Sequence, residues 1–78
     1  MSEFQSIVSS NLESAAFVDG DTIIVRFKSG KAYAYVDTDE GLWKRFKKEF
    51  DGKDGRSAGK FHAKHIRPLP AKQLDDWK

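Results

Sequence analysis

The 78-residue sequence predicts a small α+β domain: a three-stranded antiparallel β-meander packed by one amphipathic helix, with an extended C-terminal segment. Three observations carry that prediction: two segments with period-2 alternation, glycine-bearing turns around them, and a later stretch whose aromatics recur at helical spacing.

Ile23, Val25 and Phe27 fall on one face of a strand, with Thr22, Arg26 and Lys28 on the other; only Ile24 breaks the alternation. Ahead of it Ser14 to Val18 reads as a shorter strand, and Asp19-Gly20-Asp21 supplies a tight turn. After it, Ser29-Gly30 is a second turn and Lys31 to Val36 resumes the alternation, with Lys31, Tyr33 and Tyr35 on one face and Ala32, Ala34 and Val36 on the other. At Asp37-Thr38-Asp39-Glu40 the pattern changes. Asp37 or Thr38 is placed to cap a helix running from about Thr38 to Phe50, whose Leu42, Trp43, Phe46 and Phe50 gather on one side. Phe27, Trp43 and Phe46 are expected in the core. The polar run from Asp51 to Gly59 holds three glycines and reads as a connection. Lys60 to Arg67 follows as an extended or irregular segment ended by Pro68-Leu69-Pro70, and the tail from Ala71 to Lys78 reads as a turn of helix bearing Leu74 and Trp77.

A chain of this length supports one core, so residues 1–78 are read as one domain, with its body over about 7–70 and a tail over 71–78. The sequence has no cysteine, which removes disulfides, zinc–thiolate sites and thiol nucleophiles together and points to a reducing compartment. No basic-then-apolar leader and no apolar run long enough for a bilayer are legible, so a cytoplasmic protein that avoids membranes is expected.

The formal net charge is only +2, but its distribution is uneven. From Arg56 to Lys72 the charged residues are Arg56, Lys60, Lys64, Arg67 and Lys72, with His62 and His65 among them and no acid. That stretch is either an anion-binding face or a solvated surface. Ser57-Ala58-Gly59-Lys60 offers backbone donors, a hydroxyl and an ammonium, the parts of a small phosphate site or of an ordinary turn. Ser9, Ser10 and Asn11 either add donors beside it or cap a turn. Tyr33 and Tyr35 share a strand face with Lys31, and with Arg26 and Lys28 on the neighbouring strand they would make a basic, aromatic sheet surface of the kind that holds single-stranded RNA. The competing reading places one or both tyrosines beneath the helix.

His62 and His65 are the only candidates for metal binding or proton transfer, and on an extended segment they would face opposite ways with no acid to complete a ligand set. No metal, no cofactor and no catalysis are therefore expected.

Taken together, Ser9-Ser10-Asn11-Leu12 with Ala15, Val25-Arg26-Phe27, Ser29-Gly30-Lys31, Tyr33-Ala34-Tyr35, and Ser57-Ala58-Gly59-Lys60-Phe61 leading to Ile66-Arg67 resemble the KTSC domain family. This is a short module at the C-terminus of some lysyl-tRNA synthetases and in free-standing proteins of bacteria and their phages, and the resemblance covers roughly Ile7 to Pro70. His62 stands where that family often has asparagine. The resemblance implies RNA binding through the synthetase association and a home in a bacterial or phage-infected cell. A binding module for RNA or another phosphate-bearing nucleic acid is the function expected, through Arg26, Lys31, Tyr33, Tyr35, Ser57, Lys60, Lys64 and Arg67. The alternatives are a nucleotide-binding protein acting as a small homo-oligomer and a protein-interaction module built on Trp43, Phe50 or Trp77.

Overall fold

Asp19 and Gly20 both take positive φ, 57° and 74°, the pair of conformations that lets a two-residue turn follow the twist of a hairpin. In the computed structural model, which describes residues 4–53, 55 and 57–74, that turn joins β2 (Leu12–Val18) to β3 (Thr22–Phe27). The second turn, with Gly30 at φ 96°, joins β3 to β4 (Ala32–Tyr35). The meander predicted from the alternation is present, but it is the middle of a five-stranded antiparallel sheet in the order β1-β2-β3-β4-β5. The added strands are β1 (Gln5–Ser6), paired with Ala15 and Ser14, and β5 (Ala71–Leu74), paired along β4.

The register decides which side chains share a face. Ile23 lies opposite Tyr35 and Val25 opposite Tyr33, so the tyrosines stand on the same face as Ile23, Val25 and Phe27. A bulge between Leu12 and Ser14 sets Leu12 opposite Phe27, which puts Leu12 rather than Glu13 on that face, where it is fully buried.

Helix α1 (Glu40–Lys47) covers part of this face. Asp39 caps it by accepting a 2.8 Å hydrogen bond from the Leu42 amide, a role expected of Asp37 or Thr38. Asp37 instead takes φ 60° and turns the chain, while the Thr38 amide donates to the Asp21 carbonyl, tying the helix entry to the first hairpin. From Lys48 to Phe50 the chain continues as turns. Trp43 stacks on Phe17 with ring centroids 6.0 Å apart, and Phe46, fully buried, meets Phe50 edge-on at 4.7 Å and stacks on Phe61 at 5.6 Å. Full burial of a residue such as Phe46 contributes about 1.5–3 kcal/mol. Phe27, expected in the core, is only half-buried.

Two expectations for the C-terminal third are corrected. Lys60 to Arg67 is helical, not extended: α2 (Ala58–Phe61) runs into a π-helical turn over His62–Ile66. Ser57 starts it, its hydroxyl accepting from the Lys60 amide at 3.2 Å, and Ala58, His62 and Ile66 recur every four residues as its buried side. The tail does not form a helical turn at residues 71–74. After Pro68 and Pro70 the chain turns back, the Pro70 carbonyl accepts from the Val36 amide, and β5 pairs with β4. Arg56 and Trp77 lie outside the described residues. Among the described residues no helix is long and apolar enough to cross a membrane.

Candidate functional site

The face that carries the core also carries an open cavity of about 470 Å³, at the end away from the Phe17–Trp43 stack. Phe27, Tyr33 and Tyr35 supply the sheet wall, Ser29 and Lys31 the hairpin end, and Gly59, His62, Ala63 and Arg67 the helical wall.

Each wall is fixed by local chemistry. The Phe27 amide donates to the Lys31 carbonyl at 2.8 Å and the Gly30 amide to the Phe27 carbonyl at 3.0 Å, which closes the turn bearing Ser29 and Lys31. The Lys28 amide donates to the Asn11 carbonyl, so the hairpin end is held against the segment before β2. Ser9 acts as a turn cap: its hydroxyl accepts from the Asn11 and Leu12 amides and donates to Asn11 Oδ1 at 3.0 Å. Asn11 also lines the cavity. A Cβ on Gly59 would lie 3.3 Å from Asn11 Oδ1 and 3.5 Å from Ser9 Oγ, so the helical wall approaches this closely because residue 59 has no side chain.

On the helical wall the π turn decides the geometry. The Arg67 amide donates to the His62 carbonyl at 2.7 Å, five residues back, so His62 and Arg67 fall on the same side. His62 is buried, and its Nε2 lies 2.7 Å from the Tyr35 hydroxyl. The His62 ring meets Phe27 and Tyr35 edge-on, with centroids 5.4 and 5.2 Å away. Burial, then the neighbouring Arg67 guanidinium, pushes the His62 pKa down to about 4. Burial, then Tyr33, pushes the Tyr35 pKa up to about 12 against the opposing pull of Arg67. At neutral pH both partners are therefore uncharged, and the cations around the cavity are Lys31 and Arg67.

The residues expected to form a site are divided among three places. Lys31, Tyr33, Tyr35 and Arg67 meet at the cavity. The two tyrosines differ in cover, Tyr35 being 4% exposed and Tyr33 half-buried. Ser57, Lys60 and Lys64 line a second depression of about 310 Å³ with Glu49, Phe61 and His65, where the Glu49 carboxylate accepts from the Ser57 amide at 3.4 Å. Within the acid-free stretch from Arg56 to Lys72, Arg67 thus lines the cavity while Lys60 and Lys64 line the second depression. Arg26 is not on the tyrosine face. It lies opposite Ala32, so its side chain projects from the other side of the sheet, 3.6 Å from Glu13 and over the Phe4 ring. His62 and His65 do not sit on an extended segment: His62 is in the cavity wall and His65 packs on Phe61. Trp43 and Phe50, candidates for a protein-binding surface, are 8% and 7% exposed.

Asn11, named from the sequence as a donor beside the Ser57–Lys60 loop or a turn cap, lines the cavity next to Gly59, whereas sequence reasoning missed Phe27 as a cavity residue and His62 as the partner of Tyr35. A signal was available for His62, the four-residue recurrence of Ala58, His62 and Ile66 behind a capping serine, but the glycines before it hid the helix.

No family model matches the chain, and no curated protein does. Among solved structures the chain is similar to a KTSC domain protein from Yersinia pestis, with a TM-score of 0.70 and 19% sequence identity over 96% of this chain and 100% of that one. The shared architecture spans nearly the whole of both chains, and this chain therefore has the fold of a KTSC domain protein.

Proposed function

We propose that the chain is a non-catalytic binding module for RNA or another phosphate-bearing nucleic acid, engaged one nucleotide at a time in the cavity. One observation carries this reading: a half-buried tyrosine ring, Tyr33, stands in the same concave site as two cations, Lys31 and Arg67. A base needs a flat face to stack on, and a phosphate needs cationic donors; the cavity supplies both. Its volume of about 470 Å³ lies within the range of small-ligand sites, which favours a second reading, a free nucleotide bound in the same place.

Fluorescence anisotropy of a labelled single-stranded RNA tests both. With Lys31 and Arg67 on phosphates, log affinity is expected to fall with log salt at a slope of about −1.4, roughly 0.7 for each of two neutralised phosphates. Reversing both charges, Lys31→Glu with Arg67→Glu, is expected to abolish RNA binding while the melting curve stays close to that of the parent, since exposed charges contribute little to stability. Unchanged RNA affinity in the folded double variant rejects this site. Tight binding of AMP with no measurable binding of RNA selects the free-nucleotide reading.

A further inference from the structure

The two cations of the cavity can only donate hydrogen bonds, so a ligand N–H group needs an acceptor elsewhere in the lining. His62 provides it. Its Nε2 is taken up by the Tyr35 hydroxyl at 2.7 Å, and Phe27 and Tyr35 hold the ring edge-on from two sides. Among the described residues the side-chain hydrogen bond of the His62 ring is the one at Nε2, and the ring lines the cavity, which leaves Nδ1 as the ring nitrogen for a ligand.

We propose that His62 is the residue by which this cavity reads the hydrogen-bonding edge of a nucleobase, through Nδ1, with Tyr35 holding Nε2. The proposal rests on the nucleotide-binding reading above and assigns the base end of the ligand within it. A hydroxyl can donate or accept, so Tyr35 permits both tautomers of a neutral imidazole. When the Tyr35 hydroxyl donates to Nε2, Nδ1 carries a hydrogen and donates to a ring nitrogen or carbonyl of the base. When Nε2–H donates to Tyr35, Nδ1 accepts from an exocyclic amino group. The depressed His62 pKa keeps the ring neutral and so keeps both forms available at physiological pH. The π turn completes the arrangement, because it sets Arg67 on the same side as His62, with a buried reader below and an exposed cation above.

The test uses AMP and ribose phosphate, which share the sugar and phosphate and differ in the base. The variant is Tyr35→Phe with His62→Phe, which removes both polar partners together and leaves neither one buried and unpaired. Calorimetric titration of the folded double variant is expected to show AMP affinity about tenfold weaker, the loss of about one well-placed hydrogen bond, with ribose phosphate affinity unchanged. In the parent, AMP is expected to move the imidazole ring-nitrogen NMR signals of His62, and ribose phosphate to leave them in place. AMP affinity that falls no more than that of ribose phosphate, or His62 ring nitrogens that ignore AMP, overturns the proposal while leaving the nucleotide-binding reading intact. If neither compound binds the parent, this proposal and the free-nucleotide reading fail, while the RNA reading stands or falls on the anisotropy titration.

Discussion

Two aromatic clusters stand on one face of the same sheet, and they are closed in different ways. Around α1, Phe17, Phe46 and Phe50 meet Trp43 ring to ring, with Phe46 fully buried and Trp43 and Phe50 nearly so. At the other end Phe27, Tyr33, Tyr35 and His62 are also in ring contact, but Phe27 and Tyr33 stay half-buried and a hydrogen bond ties Tyr35 to His62. A chain of 78 residues needs most of its large rings for stability, yet one cluster is left partly uncovered. Aromatic rings and hydrogen-bonding groups left open to water together are the feature on which the proposed ligand site rests.

The largest effect expected is on the closed cluster. Phe46→Ala is predicted to cost about 3–5 kcal/mol of folding free energy in a urea titration, because a fully buried ring leaves a cavity that its neighbours cannot fill. A loss below 1 kcal/mol would erase the contrast between the two ends.

Acid is the next probe, and it acts on the open cluster through His62. The folded protein holds this histidine near pKa 4 and the unfolded chain near 6.5, so the unfolded state binds the proton first. The stabilisation from keeping His62 neutral is fully present above pH 6.5 and is lost as pH falls towards 4. Allowing for solvent screening, the loss is on the order of 2 kcal/mol. Chemical denaturation between these pH values is predicted to show it in the parent and not in the Tyr35→Phe, His62→Phe variant. An equal loss in both would assign the acid sensitivity to carboxylates elsewhere.

Tyr33→Ala sharpens the comparison at its finest point. The half-buried ring is predicted to contribute about 1–3 kcal/mol of RNA binding, with a smaller loss of stability than Phe46→Ala produces. Equal destabilisation by the two substitutions in thermal melts would make the open end ordinary core.

The difference between the clusters also marks what could be read in the sequence. Strands β3 and β4 and α1 were legible because alternation and helical spacing are strong from Thr22 to Phe50, and β2 followed from the Asp19-Gly20 turn ahead of them. Strand β5 was not, because Ala71, Lys72 and Gln73 are all exposed and leave no pattern for periodicity to find. Strand β1, two residues long and exposed at both, is silent for the same reason. In the site, Lys31, Tyr33, Tyr35 and Arg67 were named by residue type, but Arg26 was set on the wrong face. That assignment turned on which residue lies opposite Tyr33, and the answer is Val25, whose burial shows that the tyrosines belong to the apolar side. The Tyr35–His62 contact spans 27 positions and needed the helix to be known first.

The order of the strands along the chain has a kinetic consequence. Neighbours β1 to β4 are also neighbours in sequence, so their pairing closes short loops, whereas joining Ala32–Tyr35 to Ala71–Leu74 must wait until α1, α2 and the π turn have been threaded between them. Amide protection is therefore expected to appear at Thr22–Phe27 before it appears at Ala71–Leu74 in pulse-labelled refolding, and simultaneous protection would refute that sequence of events. The segment that arrives last is also the one that carries Arg67 and Ala71 to the cavity, so a ligand seated there would clasp the least firmly rooted part of the chain to the most firmly rooted.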